Sequence, residues 1–261
     1  MAQYRLKIGF GTIPAQNARI AIWGQSNALG IAPRSDISTS PLSSDPGLAT
    51  YDAGTFARVY IWNANTTSFE QMKMGTNNKA SASDTFGPEF GLAVRWMRET
   101  TTGNLYIEKE ATGGASITNW ETYLYDDMVT RHTAASSWLS TNSVTITTNT
   151  FLWVQGETDA SETQSWYQTK LQNLINSRAS NGCMSASDVS LLGQIPTFSS
   201  QYGAGVADAK VAIAAAAPTT AKVLPYSTYF LADNLHMNAR GQVQFGYDAF
   251  EYMFNTSHIS T

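Results

Sequence analysis

A serine lies directly behind a short apolar run. In Arg19-Ile20-Ala21-Ile22-Trp23-Gly24-Gln25-Ser26-Asn27-Ala28-Leu29-Gly30 the run is rich in β-branched and aromatic residues and stops at Gly24, the pattern of a buried strand. In a parallel sheet, ligands bind beyond the carboxyl ends of the strands. Ser26 therefore stands where an exposed hydroxyl attacks a substrate. Asn27 and Gly30 suit a tight turn whose backbone N–H groups point inward. Far along the chain, Asp233-Asn234-Leu235-His236 sets a carboxylate three residues before an imidazole. On a helical turn, positions i and i+3 are neighbours. Asp233 then accepts a hydrogen bond from one ring nitrogen of His236, and the other nitrogen faces the cleft. A histidine held in this way takes a proton from a serine hydroxyl and returns it to the leaving group. The expected chemistry is nucleophilic acyl transfer.

Two further polar clusters follow strand-like runs. Gly113-Gly114-Ala115-Ser116 comes after Leu105 to Ala111, and glycine lets a backbone N–H approach a ligand closely. The N–H groups of Gly114 and Ser26 are expected to hold the oxyanion of a tetrahedral intermediate. Losing one such donor costs about 3–4 kcal/mol of transition-state stabilisation. Gln155-Gly156-Glu157-Thr158-Asp159 comes after Phe151 to Val154. Gln155 is expected to donate its amide to the same oxyanion. Glu157 either orients His236, bonds the Ser26 loop, or pins neighbouring loops. Gln25, Asn27, Gly113 and Trp120 are expected to touch substrate, and Trp62, Trp120 and Tyr123 are the aromatic candidates at the cleft edge. His132, mid-helix, and His258, in the tail, read as surface residues.

These clusters meet only if strands alternate with helices. Residues 1–17 alternate polar and apolar and read as an N-terminal arm or extra strand. Residues 31–86 are rich in Pro, Gly, Ser, Asp and Thr, with one strand-like island at Ala57 to Trp62. So long an irregular stretch reads as a functional insertion lining the cleft. Helical spacing follows over Pro88 to Met97, with Pro88 at the start and Gly103 at the end. Trp120 to Leu139, Glu162 to Arg178, Asp208 to Ala217 and Ala239 to Phe254 also read as helices. Ser190 to Ile195 and Lys222 to Tyr226 read as strands. Alternation of this kind predicts an α/β fold, a parallel sheet covered by helices on both faces. Residues 18–261 are expected to form a single domain.

Composition narrows the function classes. The 261 residues are 43% hydrophobic, enough for a real core. Only 14% are charged and the formal net charge is −4, which argues against a nucleic-acid partner and suits neutral ligands such as glycans. Cys183 is the single cysteine, so no intramolecular disulfide forms and multi-cysteine zinc sites are excluded. No cofactor or metal is required. The N-terminus lacks the apolar core of a secretion signal, and no run has transmembrane length. A soluble protein without membrane insertion is expected, cytoplasmic or carried outside the cell in a phage particle; association with itself or with such a particle is left open.

The ordered motifs carry a resemblance. Gly24-Gln25-Ser26-Asn27, Gly87-Pro88-Glu89-Phe90-Gly91, Gly113-Gly114-Ala115-Ser116-Ile117 with Trp120, Trp153-Val154-Gln155-Gly156-Glu157-Thr158-Asp159, and Asp233-x-x-His236 with Asn238 and Gly241 stand in the order of the sialate O-acetylesterase domain. That domain belongs to the SGNH hydrolases and is similar to family 6 carbohydrate esterases. The resemblance covers roughly residues 18–254. It implies a three-layer αβα sandwich with a flavodoxin-like parallel sheet. It also implies Ser26 as nucleophile, His236 as base, Asp233 as its partner and Glu157 as a second acid, with an oxyanion hole from Ser26, Gly114 and Gln155. The implied activity is removal of O-acetyl groups from a polysaccharide or sialic acid through an acetyl-serine. Ala28 departs from the Met that commonly follows GQSN, and the 31–86 segment is not a family feature. The competing readings are another SGNH esterase or lipase, and a glycan-binding or structural phage-particle protein on the same fold.

Overall fold

The computed structural model describes residues 16–39, 41–185, 187–224 and 230–255; the 1–15 part of the expected N-terminal arm, and His258, lie outside them. In chain order the elements are β1 (Asn17–Gly24), α1 (Ser26–Leu29), β2 (Ala32–Pro33), 3-10 turns over Arg34–Ser38 and Leu42–Ser44, α2 (Pro46–Ala53), β3 (Thr55–Asn63), β4 (Ser68–Lys73) and β5 (Thr85–Phe86). Then come α3 (Pro88–Glu99), β6 (Leu105–Ala111), α4 (Ile117–Trp120), α5 (Tyr123–Thr141), β7 (Ile146–Val154) and α6 (Gln164–Ser180). The chain closes with β8 (Val189–Gly193), α7 (Ala204–Ala216), β9 (Ala221–Leu224) and α8 (Ala239–Asn255).

Seven strands form one sheet in the order β4-β3-β6-β1-β7-β8-β9. Every pairing is parallel except β3 with β4 at one edge. The sheet is covered on both faces, as a parallel sheet requires, and β1 shows why its sequence is continuously apolar. Ile20 and Ile22 face a core built with Phe90, Leu92 and Trp96 of α3 and Val243, Phe250 and Met253 of α8. Ala21 and Trp23 face the opposite core, with Met128 of α5, Tyr167 and Leu171 of α6, and Val206, Ala209 and Ile213 of α7. The result is the expected three-layer αβα sandwich. The helix read from Trp120 to Leu139 is two helices, α4 and α5, and the 31–86 segment supplies β3 and β4 to the main sheet rather than irregular chain alone.

Two buried polar networks lie against β6. His132, expected on the surface, is 3% exposed. Its Nδ1 lies 2.8 Å from Glu108 Oε2 and 2.9 Å from an Arg19 guanidinium nitrogen. A helix presents only one face to solvent, and His132 falls on the inward face of α5. Burial pushes its pKa below the ordinary imidazole value. On the other side of the sheet, Lys109 Nζ meets Glu89 Oε2 at 2.6 Å with both side chains essentially fully buried. Glu89 Oε1 also accepts from Gly87 N (2.9 Å) and Asn78 Nδ2 (3.1 Å). Breaking a buried pair leaves an uncompensated charge, at a cost of about 3–5 kcal/mol. Lys109→Met is therefore expected to lower unfolding stability by that amount in urea titrations, and a loss under about 1 kcal/mol would show the pair to be dispensable.

Candidate active site

The path to Ser26 is fixed by its neighbours on both sides. β1 ends at Gly24, whose φ is +148°, and a Cβ there would lie 1.9 Å from Val154 O. Only glycine fits that approach. Thr112 N donates to Gly24 O and Gln25 N to Val154 O, both at 3.0 Å. The ends of β6 and β7 are thus hooked to the two residues just ahead of Ser26. The chain then turns into α1, with Ser26 half-buried at its first helical position and Asn27 and Ala28 buried behind it. The N–H groups at the start of a helix have no partner within the helix, which leaves the Ser26 N–H free of the helical ladder.

Asn27 ties this turn to the loop that carries His236. Its Oδ1 accepts from Met237 N (2.8 Å) and its Nδ2 donates to Leu235 O (3.3 Å). One carboxamide therefore grips the backbone on either side of His236. The same Nδ2 donates to Glu157 Oε1 (2.6 Å), and Gln242 Nε2 donates to Asn27 O (3.2 Å). Of the roles considered for Glu157, the structure displays the bond to the Ser26 loop. Asn27, expected to touch substrate, is 3% exposed and spends its side chain on this clamp. Gln25 is equally buried, and its Oε1 accepts from Thr158 N at 3.4 Å. Both are corrected from substrate contacts to supports.

Asp233 and His236 pair as their spacing suggested, though not on a helix. The segment is a narrow loop closed by Leu231 bridging Met237, with Ala232 N donating to His236 O (2.8 Å). Asp233 Oδ1 accepts from the N–H groups of Leu235 (3.1 Å) and His236 (2.7 Å). Its Oδ2 lies 2.7 Å from His236 Nδ1. The contact fixes the tautomer with Nδ1–H toward the carboxylate and leaves Nε2 as the basic nitrogen. The bond to His236, with the two backbone bonds, holds Asp233 down at a pKa of about 2.

The loop after β6 is open. Gly113 and Gly114 are exposed, and a Cβ on either would meet nothing within 4 Å. Gly114 has φ +70°, a left-handed conformation that only glycine adopts without strain. Thr158 Oγ1 donates to Gly114 O (3.1 Å) and holds the loop against the one after β7. Gln155 departs from expectation. It is 1% exposed, and its amide nitrogen is engaged by Ala115 O and Asp159 Oδ2. Both N–H donors of a primary amide are then used, so Gln155 has none left for an oxyanion. Trp120 is corrected as well. It is 1% exposed, stacked on Trp23 at 6.0 Å and edge-on to Trp153 at 5.6 Å. Trp62 is likewise core, packed on Phe69. Large aromatic side chains in apolar surroundings bury, and sequence position alone did not separate these from Tyr123, which is 60% exposed. Among the described residues no group of three or more His, Cys, Asp or Glu side chains is arranged to hold a metal ion.

Residues 19–255 match the family described as carbohydrate esterase, sialic acid-specific acetylesterase. The chain belongs to this family. This carbohydrate esterase shares its fold with solved structures at low sequence identity. A protein from Arabidopsis thaliana aligns with a TM-score of 0.67 and 17% identity over 92% of this chain and 98% of that one. A carbohydrate acetylesterase from Xanthomonas citri gives 0.60 and 16% over 92% of this chain and 56% of that one. NanS gives 0.60 and 11% over 95% and 99%. No curated protein sequence matches the chain.

Beneath the site of this esterase lie supports that the sequence reading missed. Lys210 is fully buried and donates to Gln155 O and Gly193 O, each at 2.6 Å, tying the carboxyl ends of β7 and β8 together. Burial pushes its pKa down to about 8, against the opposing pull of Glu157 and Asp159. Tyr167 OH donates to Gln155 Oε1 at 2.6 Å. Asp159 Oδ2 accepts from Ile117 N at 2.8 Å, joining the loops after β7 and β6. A lone lysine in the Ala-rich run of α7 was the available signal, since a charge on an apolar helix face needs a buried partner.

Proposed function

We propose that this carbohydrate esterase removes O-acetyl groups from a glycan through an acetyl-serine intermediate, with Ser26 as nucleophile, His236 as base and Asp233 as the group that orients it. The observation that carries the assignment is the Asn27 carboxamide. It belongs to the residue next to Ser26 and grips the backbone on both sides of His236. That clamp supports bringing the two loops together at the carboxyl rim, next to Gly114.

In the first step Ser26 Oγ forms a bond to the acetyl carbon while His236 Nε2 takes the hydroxyl proton. The carbonyl electrons move onto oxygen, and the N–H groups of Ser26 and Gly114 stabilise that oxyanion. Collapse breaks the bond to the sugar oxygen, which receives the proton from His236. Water, deprotonated by the same nitrogen, then attacks the acetyl carbon; the bond from that carbon to Ser26 Oγ breaks, Oγ takes the proton back from His236, and acetate leaves. No electron carrier or metal enters this balance.

The pH profile tests the base. A histidine acts as a base only while its imidazole is uncharged, so a histidine base predicts a rate that falls toward acid pH. Asp233, at about 2, stays ionised through that range and contributes no limb of its own above pH 4. Acetate release followed by pH-stat, with ethyl acetate as substrate, checks this. A rate that does not fall toward acid pH removes a histidine base from the mechanism.

A further inference from the structure

The exposed aromatic side chains are not scattered. Among the described residues the large apolar side chains left exposed are Tyr123, Phe198, Phe230 and Val211. The three aromatic ones follow the carboxyl ends of β6, β8 and β9, the rim that carries Ser26 and His236; Val211 lies in α7. Two of the three flank the His236 loop itself.

Phe198 is 57% exposed and sits in a turn in which Ser199 N donates to Pro196 O (2.9 Å). The turn is fastened to the His236 loop by its next residues. Ser199 Oγ (3.1 Å), Ser200 N (2.8 Å) and Ser200 Oγ (3.2 Å) all donate to Asn234 O. Asn234 lies between Asp233 and His236. A solvent-facing phenyl ring is thus held in fixed register with the base. On the stem of the same loop, Phe230 O accepts from Asn238 N (2.9 Å). The Arg240 guanidinium lies 3.9 Å from the Phe230 ring centroid. These two residues, with Asp36, Thr39 and Asn238, line a cavity of about 290 Å³ between the loop stem and the 34–42 segment.

A pyranose ring presents C–H groups on one face and hydroxyl groups at its edge. A phenyl ring covers the former, and planar carboxylate, carboxamide and guanidinium groups match the latter. The Phe230 cavity offers both kinds of surface, and Phe198 offers the first. We propose that these are two sugar subsites, one beside Asn234 of the His236 loop and one at the stem of that loop, so that the substrate is an acetylated glycan chain rather than an acetylated monosaccharide. The proposal rests on the deacetylase reading above and deepens it. Sugars flanking the acetylated unit bind at Phe198 and Phe230, and the acetyl group is presented to Ser26 between them.

The test compares acetate release from chemically O-acetylated xylose through xylohexaose, from sialic acid through its α-linked tetramer, and from ethyl acetate, which has no ring. In at least one series kcat/KM per acetyl group is expected to rise with chain length, by about tenfold from monomer to tetramer, the scale of one added aromatic contact. Phe198→Ala is expected to cut the oligomer-to-ethyl-acetate ratio of kcat/KM by about tenfold, chiefly through KM, and Phe198→Trp to restore it. Arg240→Gln, which keeps the Phe230 ring, probes the second subsite by the same ratio, and thermal melts show that each variant is folded. Equal kcat/KM for monomer and oligomers, or a ratio untouched by both F198A and R240Q, overturns the subsites and leaves the deacetylase reading standing. Hydrolysis of ethyl acetate with no acetate released from any glycan overturns both.

Discussion

Ser26→Ala is expected to abolish acetate release, with kcat falling by at least about 10⁴-fold, because removing the nucleophile of a Ser–His pair leaves only binding and oxyanion stabilisation. The fold should survive. Ser26 is half-buried at the start of α1, and among the described residues its hydroxyl makes no bond to the loops around it, whereas Gly24, Asn27 and Gln242 hold the turn. Mass spectrometry under acid quench adds a positive readout. Wild-type enzyme is expected to carry one acetyl group on the peptide containing Ser26, and the variant none. Turnover within tenfold of wild type, in a folded S26A preparation, would exclude Ser26 as the nucleophile.

The two acids are expected to separate sharply. Asp233 Oδ2 meets His236 Nδ1, so Asp233→Asn places an amide donor opposite Nδ1 and favours the wrong tautomer. In a buried Ser–His–Asp triad that change costs roughly 10⁴ in kcat. Asp233 is 56% exposed at its side chain, and water softens the loss, so a fall of about 10²–10³ is expected. Glu157 bonds Asn27 and not the imidazole. Glu157→Gln keeps an oxygen for Asn27 Nδ2 and is expected to cost no more than about tenfold, as one weakened hydrogen bond in a supporting network does. Steady-state kcat for the two variants side by side decides it. An E157Q loss larger than that of D233N would reverse the assignment.

Those contrasts also mark what could be read from the chain. The β1 run and the alternation of strands with helices were legible because each is a local pattern set by side-chain period, and the Asp233–His236 pair because the two residues are close in the chain. The tautomer-fixing contact was anticipated although the helical turn expected for it is a bridged loop; a carboxylate three residues from an imidazole reaches it in either geometry. Gln155 and Trp120 were misread for one shared reason. A polar or aromatic residue near a strand end can turn into the cleft or into the core, and the partners that decide, Ala115 and Asp159 for one, Trp23 and Trp153 for the other, are distant in sequence. Lys210 carried a signal of burial in its Ala-rich surroundings, but its partners, the carbonyl groups of Gln155 and Gly193, are distant in sequence. The antiparallel β4 escaped notice because an edge strand half open to solvent has a weak period.

The Asn27 carboxamide has a consequence for how this enzyme chooses among esters. Because it grips the backbone on both sides of His236 before anything binds, the His236 loop and the turn carrying Ser26 are already joined, and the proposed mechanism does not require that junction to be built when an ester arrives. On that mechanism, joining these two loops is not a step that waits for the right sugar. Selectivity is then expected to come from how firmly the rest of the molecule is anchored, so an ester too small to be anchored should show a raised KM rather than a lowered kcat.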